Sequence, residues 1–134
     1  MKYLLDTDIC IDMIRKKPAN VLRKLITVAI GDVGISSITV AELQFGVQKS
    51  QRPAQNARAL EQFLLPLAIV GFDYDAAVVY GRIRAHLARA GAPIGALDTL
   101  IAAHALSNNA ILVTNNVGEF SRIAGLTVES WSEG

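Results

Sequence analysis

The sequence predicts an α/β domain, a three-layer α/β/α arrangement in which a mostly parallel sheet of four to five strands is covered by helices on both faces. Three observations predict it. Short apolar runs of strand length recur at 2–5, 33–36, 68–72, 111–114 and 126–129. The stretches between them repeat their apolar residues at helical spacing, and no repeat, low-complexity tract or linker divides the 134 residues. Strands that alternate with helices pair in parallel, because each crossover returns the chain to the same edge of the sheet. One domain over residues 1–134 is expected.

Taken in order, Lys2-Tyr3-Leu4-Leu5 reads as a buried strand ending on Asp6-Thr7-Asp8. From Ile9 to Lys17 the stripe Ile9, Met13, Ile14 predicts a helix, closed by the cationic Arg15-Lys16-Lys17. Pro18 stops it and opens a second short helix through Val21, Leu22, Leu25 and Val28. After the strand Val33-Gly34-Ile35-Ser36, either Ser36 or Ser37 can cap a helix carrying Ile38 to Val47. Pro53 opens the next helix, which runs through Leu60, Phe63 and Leu64 and ends at Pro66. A strand follows over 68–72, and Asp75 then begins a long helix with the stripe Ala76, Val79, Ile83, Leu87 and Ala90, stopped by Gly91 and Pro93. Gly95 precedes a helix over 97–108, and the strands 111–114 and 126–129 flank a short helical turn.

Hydrophobic residues at 51% and charged residues at 19% describe a well-packed soluble domain rather than a disordered chain. No apolar run approaches the roughly 20 residues of a membrane-spanning helix, and Met1-Lys2 leads into a strand without the pattern of a secretory signal. The single Cys10 can form no internal disulfide, which agrees with a cytoplasmic location. A formal net charge of +1 excludes the strongly basic class of nucleic-acid binders, so a polyanion site must come from local placement.

Chemistry is concentrated in carboxylates. Asp6 ends the first strand, at the sheet edge where open α/β sheets bind ligands. One Asp suffices to cap the following helix; Asp8 is the expected cap and Asp6 the expected functional group. Glu42 projects between Ile38 and Phe45 at 100° per residue, and Asp98 shares a helix face with Ile101, Ala102 and Ala105, where a carboxylate needs a cation or donor. Asn116 and Glu119 follow the fourth strand. In a parallel sheet all of these can converge at the carboxyl edge, and carboxylates crowded together call for a hard divalent cation, Mg²⁺ or Mn²⁺. Zn²⁺ is not expected, since His86 and His104 are isolated and Cys10 is alone. Such a site suits phosphodiester hydrolysis by water, and no Gly-rich phosphate loop or covalent nucleophile competes with that chemistry. On the helix after Asp75, Arg82, His86 and Arg89 follow at i, i+4 and i+7 as a basic stripe suited to a phosphate backbone, with Arg15, Lys16 and Lys17 extending the track.

Leu4-Leu5-Asp6-Thr7, Ser37-Ile38-Thr39-Val40-Ala41-Glu42-Leu43, Pro93-Ile94-Gly95 with Asp98 and Ile101-Ala102-Ala103-His104-Ala105, and Val113-Thr114-Asn115-Asn116 with Glu119-Phe120 together resemble the successive motifs of PIN-domain ribonucleases. The chain is most similar, within that family, to the VapC toxins of bacterial VapBC toxin–antitoxin pairs, over essentially its whole length. The resemblance implies a PIN-like fold and a Mg²⁺- or Mn²⁺-dependent endoribonuclease with Asp6, Glu42 and Asp98 as core metal-site carboxylates. It also implies cleavage of structured RNA such as tRNA, inhibition by a VapB-type antitoxin, a toxin homodimer, and contact with operator DNA only through the antitoxin. Two positions depart from the pattern. Asn116 stands where many PIN domains have Asp, so that Glu119 is left to supply the charge, and Asp8 stands where Asn or Ser is more usual.

Two rival readings remain at this stage. Asp6-Thr7-Asp8 resembles the opening of haloacid-dehalogenase phosphatases, with Asp6 as nucleophile, although Cys10 and the missing later Lys depart from that pattern. The other rival is a PIN-like module that holds no metal and serves only to bind partners.

Overall fold

The computed structural model describes residues 1–16, 19–28 and 31–131. Lys17 and Pro18, expected at the first helix boundary, lie outside the described residues. In chain order the elements are β1 (Tyr3–Leu5), α1 (Thr7–Arg15), α2 (Ala19–Thr27), β2 (Val33–Ser36), α3 (Ser37–Gln48) and α4 (Pro53–Leu64). They continue with β3 (Ala68–Val70), α5 (Tyr74–Arg89), α6 (Ala96–Ser107), β4 (Ile111–Val113), α7 (Val117–Phe120) and β5 (Val128–Glu129).

The five strands form one sheet in the order β3-β2-β1-β4-β5. Every neighbouring pair is parallel, so the sheet is wholly rather than mostly parallel. The chain winds outward from β1 to β2 and β3, then returns through α5 and α6 to β4 on the other side of β1. The direction of winding reverses beside β1, and at such a switch point two neighbouring strands send their following loops apart and leave a crevice. Asp6 and Thr114 immediately follow the paired strands β1 and β4, in which Leu5 stands opposite Val113.

Strand periodicity divides the core into two. Tyr3 and Leu5 join Ile9, Met13, Val21, Ile35, Leu43, Val47 and Leu60 under α1–α4, whereas Leu4 and Leu112 join Leu87, Ile101, Ala102, Ala105 and Phe120 under α5–α7. These are the two helical layers that the alternating pattern predicts. α6 is buried nearly all round, with Ile101, Ala102, Ala103, His104 and Ala105 inaccessible, so its sequence carries no polar face.

Helix starts are set by side chains that accept orphan N–H groups. Ser36, not Ser37, caps α3 by accepting from Ile38 N at 3.1 Å. α5 starts one residue before the expected Asp75, because Asp73 accepts from Ala76 N at 3.0 Å. Gly91, with φ +69°, takes the left-handed conformation just past the end of α5, where a glycine has no Cβ to clash.

Candidate active site

Asp6 lies at the carboxyl end of β1 with extended backbone and is 3% exposed. Its Oδ1 accepts from Thr7 N at 2.8 Å, so Asp6 and not Asp8 is the α1 cap. The expected assignment of the cap to Asp8 is corrected by the backbone: the residue that keeps strand dihedrals as the helix begins is Asp6. The second oxygen, Oδ2, accepts from the Thr114 hydroxyl at 2.7 Å, a bond across the switch point. Asp8, in the first turn of α1, stands 3.3 Å from the same hydroxyl and 3.4 Å from Asn115 N. The hydroxyl has one proton, and Asp6, at the shorter distance, takes it.

Burial, aided by the neighbouring Asp8 charge and by Asp98, pushes the Asp6 carboxyl up from 3.8 to about 7, against the bonds from Thr114 and Thr7 that favour its ionised form. Asp98, in the first turn of α6, is raised from 3.8 to about 6 by burial, by a hydrogen bond to Glu119 and by the charges of Glu119 and Asp8. Asn116 in turn donates through Nδ2 to Glu119 Oε2 at 2.6 Å. Asp6, Asp8, Asp98 and Glu119 therefore feel one another at the edge of the sheet, as the sequence predicts for all but Asp8. The Asn116 amide nitrogen is committed to orienting Glu119.

Glu42 is placed differently. It is exposed on α3 and is not among the groups that raise Asp6 or Asp98. Instead it lines a cleft of about 310 Å³ with Thr7, Ile11, Ile14, Arg15 and Phe45. Phe45, one of its expected apolar flanks, is 60% exposed, so this face of α3 is turned outward. Arg82, His86 and Arg89 are exposed on α5, as the stripe predicts, but Arg15 belongs to the opposite helical layer. Arg15 and the α5 residues are two separate cationic groups rather than one track. Lys16 is paired with Asp12 at 3.7 Å, and Lys17 lies outside the described residues.

The donor set at the edge is all oxygen, and like charge crowded into a poorly solvated corner is what a hard divalent cation relieves. The residues thus fit Mg²⁺ or Mn²⁺. Among the described residues, no three carboxylate, His or Cys groups already stand close enough to cage an ion. Thr114 belongs to the site through its bond to Asp6, a residue that the sequence analysis does not name among the candidates. Its signal in the sequence was its position, one residue past β4, equivalent to that of Asp6 after β1.

The PIN domain family model matches residues 3–126. A tRNA(fMet)-specific endonuclease VapC from Shigella flexneri is 46% identical over 132 residues, covering 98% of this chain and 99% of the relative. A ribonuclease VapC2 from Rickettsia felis is 44% identical over 134 residues, covering 99% of this chain and all of the relative (100%). The crystal structure of VapBC2 from Rickettsia felis, bound to a DNA fragment from its promoter, superposes with a TM-score of 0.94 at 44% identity over 98% of this chain and 99% of that one. DNA-bound VapBC from Salmonella typhimurium gives a TM-score of 0.93 at 42% identity over 98% of each chain. These relatives are nucleases, which sets the phosphatase reading of Asp6 aside. With its family match spanning nearly the whole chain and its acids gathered at the switch point, this chain belongs to the PIN domain family and, within it, to the VapC ribonucleases.

Proposed function

We propose that this chain is the endoribonuclease toxin of a VapBC pair, dependent on Mg²⁺ or Mn²⁺ and acting on tRNA. The observation that carries the proposal is the gathering of Asp6 and Asp98, both raised above the usual carboxylate range, with Asp8 and Glu119 beside them at the switch point of a PIN fold. The Shigella flexneri relative is specific for tRNA(fMet), which makes the initiator tRNA the first substrate to try.

In this reading Asp6 and Asp98 hold the ion, with Glu119 and Glu42 acting directly or through water. Bound there, Mg²⁺ or Mn²⁺ would lower the pKa of the attacking water and offset charge gathering on the phosphate. Thr114 keeps the Asp6 carboxylate turned toward the crevice through its 2.7 Å bond, and Asn116 holds Glu119 in the same way. Asp98, raised to about 6 by burial and by Glu119, would be held in its ionised form by a bound cation. Arg82, His86 and Arg89, with Arg15 from the other layer, attract the RNA backbone.

The structural relatives are toxin–antitoxin assemblies, some bound to promoter DNA, and they support a VapB-type antitoxin as partner, with operator DNA reached only through it. The apolar cleft ending at Glu42 and Arg15 supports docking of an antitoxin segment beside the site. A homodimer and a cytoplasmic location complete the proposal; among the described residues no helix is long and apolar enough to cross a membrane.

The test is to incubate the purified protein with tRNA(fMet) and with bulk tRNA, in Mg²⁺ or in EDTA, beside Asp6→Asn. Cleavage is expected with Mg²⁺ and the parent protein only. Equal cleavage in EDTA or by Asp6→Asn would overturn the proposal.

A further inference from the structure

Three buried polar residues, Ser36, Thr39 and His104, have no part in the chemistry above, yet each is fully inaccessible. They join the elements that carry the acids. His104 Nδ1, on α6, lies 2.8 Å from Ser36 Oγ, although the two residues are 68 positions apart. Ser36 Oγ also accepts from Ile38 N, so the imidazole is fastened to the first turn of α3. One turn further on, Thr39 meets the Thr7 hydroxyl at 3.1 Å, and Thr7 is the residue after Asp6. The Phe72 ring packs edge-on against the imidazole, with centroids 5.3 Å apart, while Phe72 N donates to Ser37 Oγ at 3.1 Å.

This arrangement has a cost. The imidazole is fully buried, and taking a polar ring out of water is costly unless it finds partners, here the Ser36 hydroxyl at Nδ1 and the Gly71 backbone. Burial holds the ring toward its neutral form, against the Gly71 backbone and the Asp73 carboxylate, which favour the charged one. Removing the imidazole alone would strand the buried Ser36 hydroxyl, so its loss carries a penalty of its own.

What the pair supplies is rotational register. Three of the buried residues of α6, Ala102, Ala103 and Ala105, are small, and Ile101 is its one large apolar side chain that is fully buried. Asp98 lies six residues before His104, about 9 Å along the helix at 1.5 Å per residue, with its carboxylate roughly 5–6 Å from the axis. A 5° rotation of α6 would therefore move that carboxylate by about 0.5 Å, which exceeds the roughly 0.2 Å tolerance of a metal–oxygen distance. Besides the Asp98–Glu119 contact at the site itself, His104 ties α6 to its neighbours, to Ser36 at the start of α3 and to the Gly71 backbone after β3.

We propose that the buried His104–Ser36 pair is a positioning device for the acidic site, fixing α6 against the start of α3 so that Asp98 stays aligned with Asp6 for one cation. The inference rests on the metal reading above. Neither residue touches the substrate; both act through the helices they join.

The test uses the full chain with His104→Leu, which keeps volume and loses the bond, and His104→Asn, whose amide can replace Nδ1. Mn²⁺ affinity is measured by titration calorimetry, the thermal midpoint in EDTA, and kcat and KM on tRNA. His104→Leu is expected to bind Mn²⁺ roughly 10- to 100-fold more weakly and to lose kcat with KM for RNA unchanged, at a temperature below its own thermal midpoint. His104→Asn is expected to recover Mn²⁺ affinity to within about threefold of the parent, a rescue that loss of packing alone would not produce. Parent-like Mn²⁺ binding by His104→Leu, or equal weakening in both variants, would overturn the inference. If His104→Leu does not fold, His104→Asn decides by the same affinity criterion. A parent protein that takes up no Mn²⁺ would instead overturn the metal reading, and this inference with it.

Discussion

Asp6 has two jobs that conflict, since as a cap it is favoured ionised at a helix N-terminus, while burial and Asp8 oppose its charge. Its carboxyl is raised in the folded state from 3.8 to about 7. Its contribution to stability is therefore fully present below about pH 4 and is lost as pH rises through 7, an amount on the order of 4 kcal/mol. Asp98, raised to about 6, acts in the same direction. In EDTA the thermal midpoint should fall between pH 5 and pH 8, and Asp6→Asn should flatten that fall and melt several degrees higher at pH 8, as followed by scanning calorimetry. Thr114→Val removes the hydroxyl between Asp6 and Asp8 at little change in volume. Because it frees the Asp6 carboxylate to turn, it should weaken Mn²⁺ binding and cleavage by roughly 10- to 100-fold, as read by titration and by single-turnover kinetics.

The division of labour between α5 and α6 separates grip from chemistry. α6 is buried and delivers Asp98 at its first turn, while α5 covers it and turns Arg82, His86 and Arg89 to solvent. Replacing both Arg82 and Arg89 with Ala should raise KM for tRNA and reduce the slope of log affinity against log salt by about 1–2. The Mn²⁺ dissociation constant should not move, which filter binding across a salt series and metal titration would check together. An equal loss in Mn²⁺ affinity would place these residues in the site rather than on its approach. Helix periodicity made this face legible in the sequence. It did not make the position of Arg15 legible, because which helices share a layer is decided by crossovers and not by spacing.

At the scale of the whole molecule, crowded acids make the metal-free protein less stable at neutral pH and able to gain stability from a cation. At a free Mn²⁺ concentration of about 100 times the dissociation constant, stability should rise by roughly 2.7 kcal/mol. A thermal shift on adding Mn²⁺ at pH 7.5, abolished in Asp6→Asn, is the expected result; no shift in the parent would remove the metal site. The strands, their parallel pairing, the two-layered core and the places of Asp6, Asp98 and Glu119 could all be inferred from the chain, because periodicity and chain reversals are local properties that burial then enforces. Other features came only with the folded molecule. Asp6 is the cap rather than Asp8, Thr114 donates to Asp6, Asn116 is spent on Glu119, Glu42 faces solvent, and His104 reaches Ser36 across 68 residues. The Thr114 and His104 bonds join segments distant in the chain, and the others depend on side-chain directions that spacing along the chain does not specify. Residue type and spacing along the chain fix which groups can carry charge to the edge of the sheet, whereas packing between elements fixes which of them meet. Angles and separations of a few tenths of an ångström are set by packing between elements, and no pattern along the chain encodes them singly.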